Sequence, residues 1–411
     1  AGGTCVLRGC VPKKLLIYGS EFSRNVEDAN GYSWEIGHYK SNWNELIIKK
    51  NRELDRLHEI YKKLILNSGC DLIDGWAKLI SKNEVSIDNN GNKKSFSAKK
   101  VLIAVGGKSA IPDFVGNQYM INSDHALNLK KLPESIVIYG SGYIAVEFAG
   151  IFNGFGVKTN LVFRSDYVLK GFDFDIRKKL TSQLSNNGIR IFPNRTIKNI
   201  VNNSKNYEIN LSSNETLNCD MVMSATGRKP NIDGLGLENL DINLGHNNKI
   251  IVNKFNQTNV DSIYAIGDVT DRINLTPVAI AEGHAFADRE FGSMERFVSY
   301  ENVPSAVFSQ PPVSVVGFTK AEAEQKGILV REYISEFNPL KNTISGKIER
   351  TLMKLVVDGT SKVIGAHMLG EHSPEIIQGI AIAIKAGATK EQFDETIGIH
   401  PTAAEEFVTM K

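Results

Sequence analysis

One stretch limits the architecture more than any other. Ser135-Ile136-Val137-Ile138-Tyr139 reads as a strand and runs directly into Gly140-Ser141-Gly142-Tyr143-Ile144-Ala145, after which Glu147, Phe148 and Ile151 continue at helical spacing. A lone Gly-x-Gly-x-x-Ala is weak evidence. Between a strand and a helix it is a dinucleotide fingerprint, because the glycines let the backbone approach a pyrophosphate that rests on the helix N-terminus. The following strand, residues 159–163, ends in Arg164. A site for NAD wants an acid about 20 residues after the glycines, to hold the ribose 2′-hydroxyl. Arg164 stands there instead, with Lys170 beyond it. Two cations at that point suit a 2′-phosphate and indicate NADPH; the alternative is a pair of solvated surface charges.

The opening residues carry the second constraint. Cys5 and Cys10 lie among glycines, with Lys13 and Lys14 just downstream. On an ideal helix, positions five apart are separated by about 140°. A disulfide needs Cα atoms within about 7 Å, so the pair closes only if the helix is distorted or if Cys5 precedes it. Gly9 supplies the backbone freedom for either. A helix running through Lys13, Leu15 and Leu16 is expected to begin near Cys10, and a helix start with nearby lysines favours the thiolate. A structural disulfide or two buried thiols are the plain alternatives. With four cysteines in 411 residues, and Cys70 and Cys219 scattered, the chain is no disulfide scaffold, and one close pair points to redox work.

As a whole, Gly2-Gly3-Thr4-Cys5, four residues, then Cys10-Val11-Pro12-Lys13-Lys14 resembles the redox motif of the flavin-dependent pyridine nucleotide–disulfide oxidoreductases, most of all those of the glutathione reductase type. The resemblance implies FAD and NADPH as cofactors and glutathione disulfide as substrate. Cys10 becomes the charge-transfer thiol against the flavin and Cys5 the interchange thiol that attacks the substrate. Lys13 lies near the flavin's reactive nitrogen and pairs with Glu147, for which the alternative is an ordinary helix-surface acid. Thr4 and Ala77 join the implied FAD contacts. Residues 259–268 read as a strand delivering Asp268 to its end. An aspartate there is commonly a cap or turn residue, but Gly267-Asp268 matches the family's second FAD motif, whose acid binds the ribitol chain. Leu275 and Thr276 fall where the family touches the flavin ring. Gly140, Ser141, Gly142, Ile144, Gly227 and Arg228 fall near the bound nucleotide, and Tyr143 shields the flavin until the nicotinamide arrives.

The substrate side is read in the same way. Trp43, Leu46, Ile47, Leu54, Leu57, Ile60, Tyr61, Leu64 and Ile65 recur at helical spacing over residues 41–67, with Ser41 as N-cap and Gly69 as stop. Pattern alone makes Tyr61 a core residue; the resemblance makes it part of the glutathione site. His400, with Glu405 five residues on near a His-Pro turn, suits an imidazole made more basic by an orienting carboxylate. The family uses such a pair as acid/base from the partner subunit, which implies a homodimer. Three positions depart from the pattern. Val105 replaces a usual threonine, Lys170 replaces the second arginine and loses its planar fork, and His284 stands where an arginine commonly holds a glutathione carboxylate.

The expected fold is α/β: two Rossmann-like nucleotide-binding domains, the first N-terminally truncated, plus a C-terminal α+β dimerisation domain. Boundaries are set at 1–107 (FAD-binding, partial), 108–230 (NADPH-binding), 231–302 (completing the FAD site) and 303–411 (dimerisation). Smaller expectations are strands at 71–77, 84–88, 100–105, 189–192, 207–211, 221–225, 313–318, 352–357 and 363–369. A further helix is expected with Ser373 as N-cap, Pro374 at its first position and Gly387 at its end. The composition is ordinary for a globular chain, 42% apolar and 23% charged, and the net charge of +2 gives no sign of nucleic-acid or membrane binding. No metal site is indicated. Family members carry a strand, a Gly-x-Gly-x-x-Gly turn and a helix ahead of the redox motif, whereas this chain opens at Ala1 inside it. The expectation is therefore a fragment or a chain lacking that unit. A cytoplasmic location is expected, with organellar targeting left open. The rival readings are a reductase of a related, trypanothione-like disulfide and a flavin-free, NADPH-binding dimeric module without activity. A dihydrolipoamide dehydrogenase would want an acid at Arg164, and a thioredoxin or mercuric reductase would carry C-terminal cysteines in place of Thr409-Met410-Lys411.

Overall fold

Ser135–Tyr139 is the middle strand of a five-stranded parallel sheet. Its neighbours are Met221–Ser224 and Lys158–Val162, with Met120–Ile121 and Arg190–Phe192 at the edges. Ile136, Val137 and Ile138 are wholly buried, as a parallel strand covered on both faces requires. The helix after the glycines, Tyr143–Gly154, is buried from Ala145 to Phe152. It shares one core with Leu16 and Ile17 of the helix Cys10–Gly31 and with Trp43 and Ile47 of the helix Trp43–Asn67. A computed structural model describes residues 1–411. The chain divides into two compact units interleaved in sequence: Ala1–Pro12, Lys49–Ala110 and Gly227–Tyr300 form one, and Lys13–Ile48, Ile111–Thr226 and Glu301–Lys411 form the other.

The first unit joins residues far apart in sequence. Val101–Ile103 pairs in parallel with Ile263–Ala265, and Gly107–Ser109 pairs antiparallel with Arg228–Pro230. Beside them lie the antiparallel strands Trp76–Ser81, Glu84–Asn89 and Asn92–Ser97, over a core of Leu79, Ile103, Leu237, Ile250 and Ile263. In the second unit the C-terminal part is an antiparallel sheet ordered Ser305–Val307, Val313–Gly317, Val363–Leu369, Thr351–Asp358, Val330–Phe337. One ion cluster in this unit links sequence-distant elements. Buried Lys354 lies 2.9 Å from Asp173 and 2.8 Å from Asp175, and also contacts Glu332. Burial alone would lower the pKa of its ammonium, but the three carboxylates outweigh that and hold it above the ordinary lysine value.

Several sequence expectations are corrected. The strand expected at 71–77 begins only at Trp76. Leu72 and Ile73 are partly exposed, and Gly75 enters the sheet at φ 149° with no room for a Cβ beside Ile87 and Asp88. The strand expected at 100–105 is confined to Val101–Ile103. Asn42, not Ser41, caps the long helix, accepting from the Glu45 amide at 3.2 Å. Ser373 is the first helical residue, not the N-cap; that place belongs to His372 at φ 63°. The Ser373 hydroxyl instead donates to the Pro312 carbonyl at 3.2 Å. Tyr61 is not core, being 41% exposed; Trp43, Ile47 and Leu54 carry the buried face.

The turn at Gly140 has a steric signature. Its φ is 145°, and a Cβ there would stand 2.2 Å from the Ala225 carbonyl oxygen. Gly140→Ala is expected to destabilise the chain by roughly 2 kcal/mol or more, seen as a lower thermal midpoint than wild type.

Candidate active site

The cysteine spacing is resolved by a break at Gly9. Cys5 lies in a short helix, Gly3–Arg8, and Cys10 is the first residue of the next, Cys10–Gly31. A Cβ on Gly9 would stand 2.9 Å from the Thr4 carbonyl oxygen, so the two helices meet where a side chain has no room. Cys5 is half-buried and Cys10 exposed. The position of Cys10 at the start of a 22-residue helix favours a thiolate through the orphan amides and the helix dipole. Its Sγ lies 3.8 Å from the hydroxyl of Thr276, the first residue of the helix Thr276–Phe291, which Leu275 caps. Residues separated by more than 260 positions are thereby brought together in the first unit.

Lys13 lies one turn beyond Cys10. Its Nζ donates to Glu147 Oε1 at 2.6 Å, and the same oxygen accepts the Phe308 amide at 2.9 Å. Glu147 is 2% exposed, which rules out the surface-acid alternative. Burial pushes its carboxyl above the usual carboxylate range, and Lys13 and the Phe308 amide pull it back. Lys13 and Lys14 also stand over the Phe308 ring, at 4.4 and 3.8 Å. Burial holds Lys14 below the ordinary lysine value, against the opposing pull of Glu21. Phe308 escaped the sequence reading because its contribution is a backbone amide. The burial of Glu147 did have a signal, since it is the one charge within Ala145-Val146-Glu147-Phe148-Ala149.

The dinucleotide turn is built as its sequence requires. Ser141 accepts the Leu169 amide at 2.7 Å, which ties the turn to the segment carrying Lys170. Gly142 caps the 12-residue helix, and the place of its missing Cβ is open. Tyr143 is exposed, and Ile144, Arg164 and Lys170 lie in the same unit; Arg164 and Lys170 are exposed. The open glycine cradle at a helix N-terminus, with two exposed cations, fits a phosphorylated dinucleotide.

In the first unit Gly267, at φ 72°, leads Asp268. Burial pushes the Asp268 carboxyl up, and the Arg228 guanidinium at 3.8 Å opposes this. Arg228 also donates to the Gly107 carbonyl, and Gly227, at φ 138°, accepts the Ala110 amide at 2.9 Å. A half-buried carboxylate whose cation partner stands at 3.8 Å fits a hydroxyl-bearing chain such as the ribitol of FAD. Thr4 and Ala77 lie in this unit, Ala77 on the exposed strand Trp76–Ser81. His284 is exposed on the helix Thr276–Phe291.

His400 Nδ1 lies 3.0 Å from Glu405 Oε2. A carboxylate only accepts, so Nδ1 carries the proton and Nε2 is the basic nitrogen of the neutral ring. Glu405 is held in turn by the Thr402 amide at 3.3 Å, and the His400 side chain is 80% exposed.

The buried Lys13–Glu147 pair yields a testable consequence. Lys13→Ala or Glu147→Ala alone is expected to cost about 3 kcal/mol by stranding the partner. The double substitution is expected to cost clearly less than the sum in denaturant unfolding; strict additivity would show that the two do not interact.

Comparison with known proteins places this geometry. Residues 1–283 match the sequence profile of the family described as pyridine nucleotide-disulphide oxidoreductase, and residues 303–411 match that family's dimerisation domain. The chain is 47% identical to a glutathione reductase of Nostoc sp., covering 100% of this chain and 92% of the relative. It is 45% identical to a chloroplastic/mitochondrial glutathione reductase of Pisum sativum, covering 100% and 74%. To a trypanothione reductase of Trypanosoma congolense it is 39% identical, covering 100% and 86%. Among solved structures it resembles the HOCl-induced flavoprotein disulfide reductase RclA from Escherichia coli, with a TM-score of 0.88 and 26% identity over 100% of this chain and 91% of that one. The chain belongs to the pyridine nucleotide-disulphide oxidoreductases, an α/β family of enzymes, and groups there with the glutathione reductases.

Proposed function

We propose that this chain is an NADPH-dependent glutathione-disulfide reductase working through FAD and a Cys5–Cys10 redox disulfide. The observation that supports it best is the 3.8 Å approach of Cys10 Sγ to Thr276, which joins a helix-start thiol to the segment expected to touch the flavin. Gly267, Asp268, Leu275 and Thr276 hold FAD, with Thr4, Ala77, Gly227 and Arg228 as further contacts. The NADPH pyrophosphate rests on Gly140–Ile144, and Arg164 and Lys170 take its 2′-phosphate. Lys13, fixed by Glu147, places a positive charge beside the flavin. When bound, FAD accepts hydride from NADPH and delivers two electrons to the protein disulfide.

The chain's own residues then perform the exchange. Reduction opens the Cys5–Cys10 bond to two thiolates. Cys5 attacks one sulfur of glutathione disulfide; a Cys5–glutathione mixed disulfide forms as the substrate S–S bond breaks. The departing glutathione thiolate takes a proton from the imidazolium of His400, oriented by Glu405 and acting from a second copy of the chain. Cys10 attacks the Cys5 sulfur, releases the second glutathione and restores the internal disulfide. Overall, NADPH, one proton and glutathione disulfide give NADP⁺ and two glutathiones. Tyr61 and His284 line the substrate site in this reading. The domain division is the one drawn at residues 107, 230 and 302, residues 303–411 make the homodimer, and the compartment is the cytoplasm. No helix is long and apolar enough to cross a membrane.

A second reading, reduction of a trypanothione-like disulfide, draws on the trypanothione reductase relative and on the histidine at 284. Relative turnover of the two disulfides decides between them.

The first test is the visible spectrum of the protein with FAD, before and after anaerobic NADPH. A bound flavin that gains a long-wavelength thiolate–flavin band supports the reading; no bound flavin overturns it. Cys5→Ser is expected to abolish disulfide turnover while leaving reduction of the flavin by NADPH intact. Arg164→Ala is expected to raise the KM for NADPH about tenfold, as loss of a charge-assisted contact implies, and to leave that for NADH unchanged.

A further inference from the structure

The helix Thr276–Phe291 buries Val278, Glu282, Ala285 and Phe286, a stripe at helical spacing with a carboxylate in its middle. Glu282 is 1% exposed. An ion so placed costs several kcal/mol unless its oxygens are satisfied. Oε2 accepts the Gly267 amide at 2.6 Å. Oε1 accepts the Tyr300 hydroxyl at 2.6 Å and lies 3.7 Å from the Arg272 guanidinium. Arg272 donates to the Tyr300 oxygen at 2.6 Å and is itself anchored on the Val252 and Asn253 carbonyls at 3.2 and 3.0 Å. Arg272 and Tyr300 also line a cavity of about 760 Å³; Glu282 is not among its lining residues. Burial first, and then the Glu282 carboxylate, hold the Tyr300 phenol above its ordinary value, so it remains a donor.

The amide that Glu282 holds belongs to Gly267, in the left-handed region at φ 72°, immediately before Asp268. It also opens the one-turn 3-10 helix Gly267–Thr270, where amides have no partner within the helix. The orientation of this peptide sets where Asp268 points.

We propose that Glu282, with Tyr300 and Arg272 behind it, is a positioning residue for flavin binding: it fixes the Gly267–Asp268 turn that receives the FAD ribitol. This rests on the FAD reading above. Glu282 acts through Gly267, with no contact to the flavin itself. Loss of its carboxylate leaves the Gly267 amide and the Tyr300 hydroxyl without their acceptor and the Arg272 guanidinium without its ion-pair partner, and the turn becomes free to reorient.

The experiment compares the FAD-loaded wild type with Glu282→Ala, Glu282→Gln and Tyr300→Phe. FAD release is followed by recovery of free-flavin fluorescence, and the visible spectrum of the bound flavin and thermal unfolding are recorded alongside. Glu282→Ala is expected to raise the FAD dissociation constant about tenfold or more, as an orphaned buried donor implies, and to shift the bound-flavin spectrum. Glu282→Gln, whose amide oxygen still accepts from Gly267, is expected to recover most of the affinity. Tyr300→Phe should weaken binding by an intermediate factor. A Glu282→Ala protein that holds FAD within twofold of wild type, with an unchanged spectrum, overturns the inference. If that variant does not fold, Tyr300→Phe decides by the same twofold criterion. A wild type that binds no FAD overturns the proposed function as well, which separates the two failures.

Discussion

The carboxylate of Glu147 is the point on which the second unit depends. It lies in a helix buried from Ala145 to Phe152, where an uncompensated charge would be forbidding. Two groups satisfy it: the ammonium of Lys13, from the helix that Cys10 begins, and the amide of Phe308, just past the strand Ser305–Val307 that opens the C-terminal sheet. Three segments distant in sequence are tied at one oxygen. Within the second unit the pair ties the helix Tyr143–Gly154 to the helix that Cys10 begins.

The same helix is seated along its length by close backbone approaches. At its middle, Ser20 packs against Gly154, where a Cβ would fall 2.6 Å from the Ser20 carbonyl oxygen. At its end, Gly31 lies against Ser345, with room for no side chain between them. Interiors packed at this density transmit displacement, and a helix pinned at its start, middle and end has little freedom to shift. In the proposed reading, in which the thiols exchange with a flavin and with a disulfide, such fixity is an advantage, since near-attack geometry tolerates errors of an ångström poorly.

Much of this was legible in the sequence because local and global signals agree. The strand, glycine turn and helix of residues 135–154 are written in one continuous stretch, and the structure reproduces them nearly residue for residue. The break between Cys5 and Cys10 followed from the geometry of a five-residue spacing and the presence of Gly9. What was not legible falls into two kinds. Elements with mixed polarity went unread: the helix Phe174–Asn186, capped by Asp173, and the strands Ile197–Asn202, Thr216–Cys219 and Val330–Phe337. Their patterns are half-exposed, and their pairing partners decide their conformation. The helix Trp43–Asn67 shows the converse. Its apolar spacing is regular, yet Ile60, Tyr61 and Leu64 are exposed in the single chain, because periodicity reports which face is apolar and not what covers it. The backbone contributions of Phe308 and Gly267 carry no side-chain signature at all.

Glu147 and Glu282 share one logic, which bears on how such a chain comes to be specific. Each is a lone acid within the apolar stripe of a helix, and each is neutralised by a cation from elsewhere in the sequence, Lys13 and Arg272. Each also captures one backbone amide, of Phe308 and of Gly267. A leucine in either place would bury more apolar surface and would leave that amide without an acceptor. The carboxylate trades burial energy for direction: it accepts only from donors that approach at hydrogen-bond distance, and a shift of the segment loses both bonds together. Placed within the helix Tyr143–Gly154 in one unit and behind the Gly267–Asp268 turn in the other, the two acids convert chain segments that could pack in several ways into segments with one satisfied arrangement.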